Sequence, residues 1–190
     1  MKKNVYIIAG PNGSGKTTFA NKFLPDYVKC PNFVNADLIA LGLAPFSPAT
    51  VPIKAGKLVL GQIREFSERG VDFAFETTLS GTSYARLLRN LKVSGYSVHL
   101  IFLWIPSPEL AIQRIKERVR EGGHDVPSND VKRRFFRGID NFFKIYEGLV
   151  DSWMMFDNSK EKPALIAKRK NGHKQVVDQD LFNAVLTFMR

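Results

Sequence analysis

The sequence predicts an α/β protein, a three-layer αβα fold on a five-stranded, mainly parallel sheet. Three observations carry that expectation. Short apolar runs alternate with longer stretches of helical periodicity, the pattern of βαβ units. The first apolar run leads directly into a glycine-rich loop and then a helix. No repeat, low-complexity tract or long linker interrupts the 190 residues, so a single domain over 1–190 is expected.

The elements follow in order. Val5-Tyr6-Ile7-Ile8-Ala9 is a continuous apolar run suited to a strand buried on both faces. A helix should run from Gly15 to about Phe23, ahead of Pro25. Phe33-Val34-Asn35 reads as a short second strand. Pro48 and Pro52 open a helix that Gly70 ends, and Val71 to Glu76 is a third strand. A helix over Gly81 to Val93 closes at Gly95, and Tyr96 to Ile105 is the strongest strand in the chain. Ser107-Pro108-Glu109 is a helix start with a cap, a proline at the first position and an acid in the first turn. That helix should reach Arg120. After the loop Gly122 to Pro127, Ser128 is expected to cap a long helix striped by Phe135, Ile139, Phe142, Tyr146 and Leu149. Trp153 to Phe156 makes a fifth strand. Asn171-Gly172 between Leu165-Ile166-Ala167 and Val176-Val177 signals a hairpin, and a last helix covers roughly Gln179 to Met189.

Composition narrows the classes. Apolar residues are 44% and charged residues 24%, which excludes wholesale disorder. The single cysteine, Cys30, excludes an internal disulfide and a cysteine-based zinc site. No apolar run approaches the roughly 20 residues of a membrane helix. Met1-Lys2-Lys3 is followed by too short an apolar stretch for a signal peptide, so a cytoplasmic protein with no membrane partner is expected. Lysine and arginine total 28 against 18 aspartate and glutamate, a formal charge of +10. That balance favours anionic partners without choosing among nucleotides, phosphorylated metabolites, nucleic acid or an acidic protein.

Gly10-Pro11-Asn12-Gly13-Ser14-Gly15-Lys16-Thr17 matches G-x-x-x-x-G-K-[ST] in full, between a strand and a helix. Such a loop wraps backbone N–H groups around the phosphates of a nucleotide, helped by the positive end of the helix behind it. Lys16 is expected at the β- and γ-phosphates and the Thr17 hydroxyl on Mg²⁺, with Thr18 completing the binding segment. ATP and Mg²⁺ are the cofactors this implies. The loop alone does not separate a kinase from an ATPase, a GTPase or a motor.

Ligands of open α/β sheets sit beyond the carboxyl ends of the strands, where two acids fall. Asp37 follows the second strand. It is placed either to take a proton from an acceptor hydroxyl or to cap a helix near Leu38. Glu76 ends the third strand, placed for the Mg²⁺ shell, for the acceptor, or simply as a solvated terminus. The fourth strand ends Leu103-Trp104-Ile105-Pro106 with no acid, and no Asn-Lys-x-Asp motif is present, which weakens the motor and GTPase readings.

Arg114, Arg118 and Arg120 lie on one expected helix, and Arg133, Arg134 and Arg137 open the next. With the glycine loop between them they form a candidate lid over about 114–141 that would clamp phosphates. The alternative is a solvated basic face. Asp130, Arg134, Arg137 and Asn141 share one helix face. His124 reads as a polar loop residue, and Lys168-Arg169-Lys170 as exposed hairpin charge, with a nucleic-acid or partner contact as the other reading.

Taken together these pieces resemble the zeta-toxin family of P-loop kinases, in its short chromosomal branch described as predicted ATPases. The pieces are Ala9 to Thr18, Asn35-Ala36-Asp37, Phe75-Glu76-Thr77-Thr78-Leu79-Ser80-Gly81, Gly122-Gly123-His124-Asp125-Val126-Pro127 and Arg133-Arg134-Phe135, spread over roughly residues 4 to 157. The resemblance implies a P-loop NTPase fold with a helical lid, and a C-terminal hairpin and helix over about 163–190. It implies transfer of the ATP γ-phosphate to a hydroxyl of a nucleotide-sugar such as UDP-N-acetylglucosamine, with a phosphate-bearing acceptor and an antitoxin as partners. By the same likeness Lys16, Asp37, Arg120, Arg133 and Arg134 are catalytic. Asp37, Glu76, Thr77 and Thr78 meet the acceptor, and Thr17 and Glu76 the metal. The chain is shorter than the full toxins, and no antitoxin segment is expected at either end. Two other readings stand beside this one: a kinase or ATPase directed at RNA or another polynucleotide, and a nucleotide-dependent partner-binding switch.

Overall fold

The structure is a computed structural model that describes residues 3–123 and 125–189. Met1, Lys2 and His124, the last expected in the glycine loop, lie outside the described residues, as does Arg190. The first half of the chain runs β1 (Lys3–Ala9), α1 (Lys16–Tyr27), β2 (Phe33–Val34), α2 (Ala36–Leu43), a 3₁₀ turn (Pro48–Thr50), α3 (Pro52–Arg69), β3 (Phe73–Thr77) and α4 (Ser83–Val93). The second half runs β4 (Tyr96–Trp104), α5 (Pro108–Arg120), α6 (Ser128–Asn141), a π turn (Phe142–Tyr146), α7 (Glu147–Leu149), β5 (Ser152–Asp157), β6 (Ala164–Lys170), β7 (His173–Val176) and α8 (Gln179–Leu186).

Among the described residues the strands form one sheet in the order β2-β3-β1-β4-β5-β6-β7. The first five run parallel. The expectation of a five-stranded sheet with a C-terminal hairpin is corrected, because the hairpin joins the sheet, β6 antiparallel to β5 and β7 antiparallel to β6, making it mixed and seven-stranded. The physical reason is burial. Without β6 the backbone of β5 would be an open edge, and β6 carries Ile166 and Ala167 fully into the core. Asn171 and Gly172, both at positive φ, make the tight turn that twists the hairpin into register.

The two faces of the sheet are covered unequally. One face packs Val59 and Ile63 of α3, Leu88 and Leu91 of α4, Ile115 of α5, Phe135 and Ile139 of α6, and Phe182 and Val185 of α8. The opposite face has a smaller cluster, in which Ala20 and Leu24 of α1 meet Ile8, Ala74, Ile101 and Leu103. Each buried aliphatic or aromatic side chain contributes roughly 1.5–3 kcal/mol.

Two helix boundaries depart from expectation. α1 continues through Pro25 to Tyr27. A proline removes one helical hydrogen bond, but Leu24 is buried beside it and the Phe23 and Tyr27 rings stack across that turn at 5.8 Å. Ser128 is the first residue of α6 and not its cap, a position Pro127 occupies without a side-chain bond. Its stripe then behaves as anticipated: Phe135, Ile139, Phe142 and Tyr146 are wholly buried, and Leu149 is partly so. No helix among the described residues is long and apolar enough to cross a membrane.

Tyr146 donates its hydroxyl to the Gly81 carbonyl at 2.8 Å. Burial, with Tyr84 nearby, pushes its phenol up from 10.0 to about 12. The folded state therefore holds this proton more tightly than the unfolded chain. The resulting stability is present below pH 10 and is lost as pH rises towards 12. A Tyr146→Phe protein should lose less unfolding free energy across that window than the wild type in denaturant titrations. An identical alkaline loss would remove Tyr146 as its source.

Candidate active site

The loop between β1 and α1 is tight because its neighbours leave no room. A Cβ on Gly13 would lie 2.6 Å from the Ala111 carbonyl, and one on Gly15 would lie 2.7 Å from the Asn158 amide nitrogen. Both residues also hold positive φ, 74° and 81°. Gly15 caps α1 without a side-chain bond, and no acid stands in the first turn. The first N–H groups of the helix thus remain available to an anion. Inside the loop the Ser14 Oγ and the Asn12 Oδ1 are buried with no hydrogen-bond partner. A buried polar atom left unpaired is costly; a phosphate oxygen of a bound nucleotide would accept from the Ser14 hydroxyl, and a water brought with it would donate to Asn12 Oδ1. The residues present therefore fit a nucleotide phosphate chain.

Lys16 is only 6% exposed, and its ammonium donates to the Pro11 carbonyl at 2.9 Å. It lies 3.6 Å from Glu76 Oε1. The other carboxylate oxygen accepts the Thr17 hydroxyl and the Asn35 amide, each at 2.7 Å. Sheet register produces this meeting, since β3 pairs with β1 and Glu76 stands opposite Ile8. A carboxylate and a hydroxyl side by side below the phosphate loop form a hard-oxygen pair suited to Mg²⁺.

Asn35 was not singled out in the sequence, and it organises this corner. Its Oδ1 accepts the backbone N–H groups of Asp37 and Leu38, capping α2, while its Nδ2 donates to Glu76 and reaches Thr17 at 3.3 Å. The capping role expected as one option for Asp37 therefore falls to Asn35, because α2 begins at Ala36. Asp37 is exposed and faces the cavities. The cap preference of asparagine, read one residue earlier, is the signal that would have found Asn35.

The arginines separate into distinct roles. Arg114 donates to the carbonyls of Asn158 at 2.9 Å and Ser159 at 2.7 Å, with Gly13 at 3.5 Å. The Asn158 amide donates to the Ser14 carbonyl at 2.6 Å. Arg114 and Asn158 together lash the phosphate loop to the segment after β5. Asn158, also unforeseen, follows a strand's carboxyl end, as Asp37 does. Arg118 lines the large cavity beside Gly122 and Gly123. Arg134 lines a smaller one and stands 3.7 Å from Asp130. Arg120, Arg133 and Arg137 are exposed and line neither cavity, and Arg133 pairs with Asp130 at 2.7 Å. On the hairpin Lys170 is exposed as expected, whereas Arg169 is half-buried and donates to the Val150 carbonyl.

The large cavity measures about 1020 Å³ and runs from the phosphate loop past Arg118, Lys160 and Pro163, with an aromatic wall that includes Phe19 and Phe156. The small cavity, about 280 Å³, lies between the β3–α4 loop and α6. Thr77, Thr78, Ser80 and Tyr84 give it a hydroxyl lining. Burial raises the Tyr84 phenol, which therefore stays protonated. Asn12, Lys16, Asn35, Asp37 and Glu76 border both cavities.

Residues 48–178 match the family model described as zeta toxin. The chain belongs to the zeta toxin family. An uncharacterized protein of Haemophilus influenzae is 33% identical over 135 residues, 71% of this chain and 94% of that protein. The fold recurs in the crystal structure of AvrRxo1-ORF1:AvrRxo1-ORF2 with sulphate ions, at a TM-score of 0.80 and 18% identity over 97% of this chain. This zeta toxin family member spans 63% of the length of that chain. It is also similar to a chain of the PezAT chromosomal toxin-antitoxin system of Streptococcus pneumoniae, at a TM-score of 0.69 and 15% identity, covering all of this chain and 79% of the other. The fold is thus the three-layer P-loop kinase type. The matched family segment begins after the phosphate loop, so residues 10–17 carry the nucleotide signature independently.

Arg114 gives this family member a testable hinge point. Replacing it by methionine removes charged hydrogen bonds worth roughly 1.5–3 kcal/mol each. Arg114→Met should lower the melting temperature and weaken ADP binding about tenfold or more, read by calorimetry. Unchanged ADP affinity would show that the lashing does not shape the phosphate loop.

Proposed function

We propose that this chain is an ATP- and Mg²⁺-dependent kinase of the short chromosomal zeta-toxin branch. It transfers the γ-phosphate to a hydroxyl of a nucleotide-sugar such as UDP-N-acetylglucosamine. The observation that carries the reading is the junction of a nucleotide-sized cavity and a small hydroxyl-lined one at Lys16, Asp37 and Glu76. An ATPase needs only the first cavity. An acid at the meeting point of two cavities is where a second substrate would lose its proton.

Bound ATP–Mg²⁺ supplies the phosphoryl group and most of the positive charge that offsets it. The chain's own residues do the rest. The loop from Gly10 to Thr18 holds the phosphates through the backbone N–H groups that it and the first turn of α1 leave unpaired, and Lys16 turns from the Pro11 carbonyl to the phosphate oxygens. Thr17 and Glu76 hold the ion, and Asn35 keeps Glu76 in place. Asp37 takes the proton of the acceptor hydroxyl as its oxygen attacks the γ-phosphorus and ADP departs. Arg118 and Arg134 stand on the two sides of the junction to neutralise equatorial charge. Arg120 and Arg133 would join only on closure of the lid over 114–141. Thr77 and Thr78 orient the acceptor.

The same proposal takes residues 1–190 as one kinase domain acting in the cytoplasm, with an antitoxin as protein partner. The likeness in fold to the PezAT chain supports that partner. In an assay of labelled γ-phosphate with UDP-N-acetylglucosamine, Lys16→Ala should abolish transfer. Asp37→Ala should lower it about 10²- to 10⁴-fold while ATP affinity stays within about twofold. An Asp37→Ala enzyme with normal turnover would remove the base. Absence of labelled sugar nucleotide with the wild type would remove the named acceptor.

A further inference from the structure

The helix that begins at Ser128 continues without a break to Leu149, but its residues 142–146 are wound as a π turn. The Glu147 N–H reaches back five residues to the Phe142 carbonyl. Such turns are rare and concentrate at functional sites. This one sits where the helix meets the β3–α4 loop, the wall of the small cavity.

Three residues of the helix meet the loop in sequence. Gly138 lies so close that a Cβ would stand 2.6 Å from the Thr78 carbonyl. Asn141 donates its amide to the Leu79 carbonyl at 2.7 Å. Tyr146 donates its hydroxyl to the Gly81 carbonyl at 2.8 Å. Gly138 and Asn141 share a face because they are three apart. Asn141 and Tyr146 are five apart, which at 3.6 residues per turn would point them about 140° from each other. The i→i+5 winding turns them towards one side.

The loop they hold needs holding. Leu79 is 1% exposed and adopts φ 53°, a left-handed conformation that a branched side chain rarely takes. Its N–H is accepted by the Thr77 hydroxyl at 3.1 Å, and the Thr78 and Ser80 hydroxyls meet at 2.9 Å. The reversal at Leu79 sets the side chains of Thr77, Thr78 and Ser80 along the small cavity.

We propose that the π turn is a registration device, with Asn141 the positioning residue that fixes the Thr78–Gly81 loop for the acceptor. The inference rests on the kinase reading for the word acceptor, and on geometry alone for the loop. Asn141→Asp keeps the shape and removes the donor, so it is the informative variant, with Asn141→Ala beside it. Hydrogen exchange in peptides covering residues 77–83 should quicken about tenfold or more, while peptides of the phosphate loop stay as in the wild type. ADP affinity should remain within about twofold. In turnover with UDP-N-acetylglucosamine, the acceptor KM should rise about tenfold with the ATP KM unchanged.

Unchanged exchange at 77–83 in folded Asn141→Asp overturns the proposal. So does quickened exchange with an unmoved acceptor KM, because Asn141 would then be only structural. A wild type that turns over no acceptor would sink the kinase reading, and the exchange result would still decide whether Asn141 sets the loop. Should Asn141→Asp fail to fold, Tyr146→Phe carries the same exchange test at Gly81.

Discussion

The Glu76 carboxylate, shared by Lys16, Thr17 and Asn35, is the contact on which the rest of the site depends. It is 11% exposed and faces a lysine that is 6% exposed. Charges this deep persist only when paired and hydrogen-bonded, and removing one partner of such a pair typically costs 3–5 kcal/mol. The pairing comes from topology. Only a strand adjacent and parallel to β1 brings its carboxyl end beside the phosphate loop; β3 and β4 both do so, and of the two β3 carries the acid. A slip of one residue between the two strands would turn Glu76 to the other face and leave Lys16 without its carboxylate. The register Ile8 to Glu76 is thus a functional constraint as much as a structural one.

Much of this was legible in the chain itself, for physical reasons that differ from element to element. The phosphate loop was readable because glycines, lysine and threonine at fixed spacing have one efficient use between a strand and a helix. The Ser107-Pro108 start was readable because cap and proline rules are local. The hairpin was readable from Asn171-Gly172, yet its place in the sheet was not, since strand pairing across distant segments leaves no local mark. Asn35 and Asn158 escaped notice because their work is done by amides whose partners lie far along the chain. The arginines show the limit most clearly. Sequence placed six of them in a lid, but helix phase decides which face the cavities. Arg114 and Arg118 line the large cavity and Arg134 the small one, Arg114 with its guanidinium committed to carbonyls behind the phosphate loop, while Arg120, Arg133 and Arg137 are exposed outside both.

The uneven covering of the sheet connects fold to site. The face with α3, α4, α5, α6 and α8 supplies most of the core, and its α4 and α6 supply one wall of the small cavity opposite the phosphate loop and the start of α2. The other face is guarded mainly by α1, whose Phe19 and Phe23 rings stack at 5.2 Å, with Phe19 reaching Phe156 at 5.8 Å. These rings line the large cavity. Its apolar wall is therefore part of the thinner side of the protein, and the α1 helix that begins at Lys16 also presents aromatic surface to the cavity.

The two sides of the junction are held by different means, and the difference bears on mechanism. On the nucleotide side, glycines keep the backbone close, and orphaned groups such as Ser14 Oγ await a ligand. On the other side, Leu79 is forced into a left-handed conformation that costs roughly 1–2 kcal/mol. Burying its side chain returns roughly 1.5–3 kcal/mol, and the bonds from Asn141 and Tyr146 add to that. The strained loop is thus over-determined by the protein's own contacts. In the proposed kinase that wall would need little further ordering when a substrate arrives, whereas the exposed arginines of the proposed lid would still have to be drawn in. Phosphoryl transfer depends on positioning and charge neutralisation more than on covalent help. On the proposed reading, this fold would build the positioning in beforehand and leave part of the neutralisation to motion.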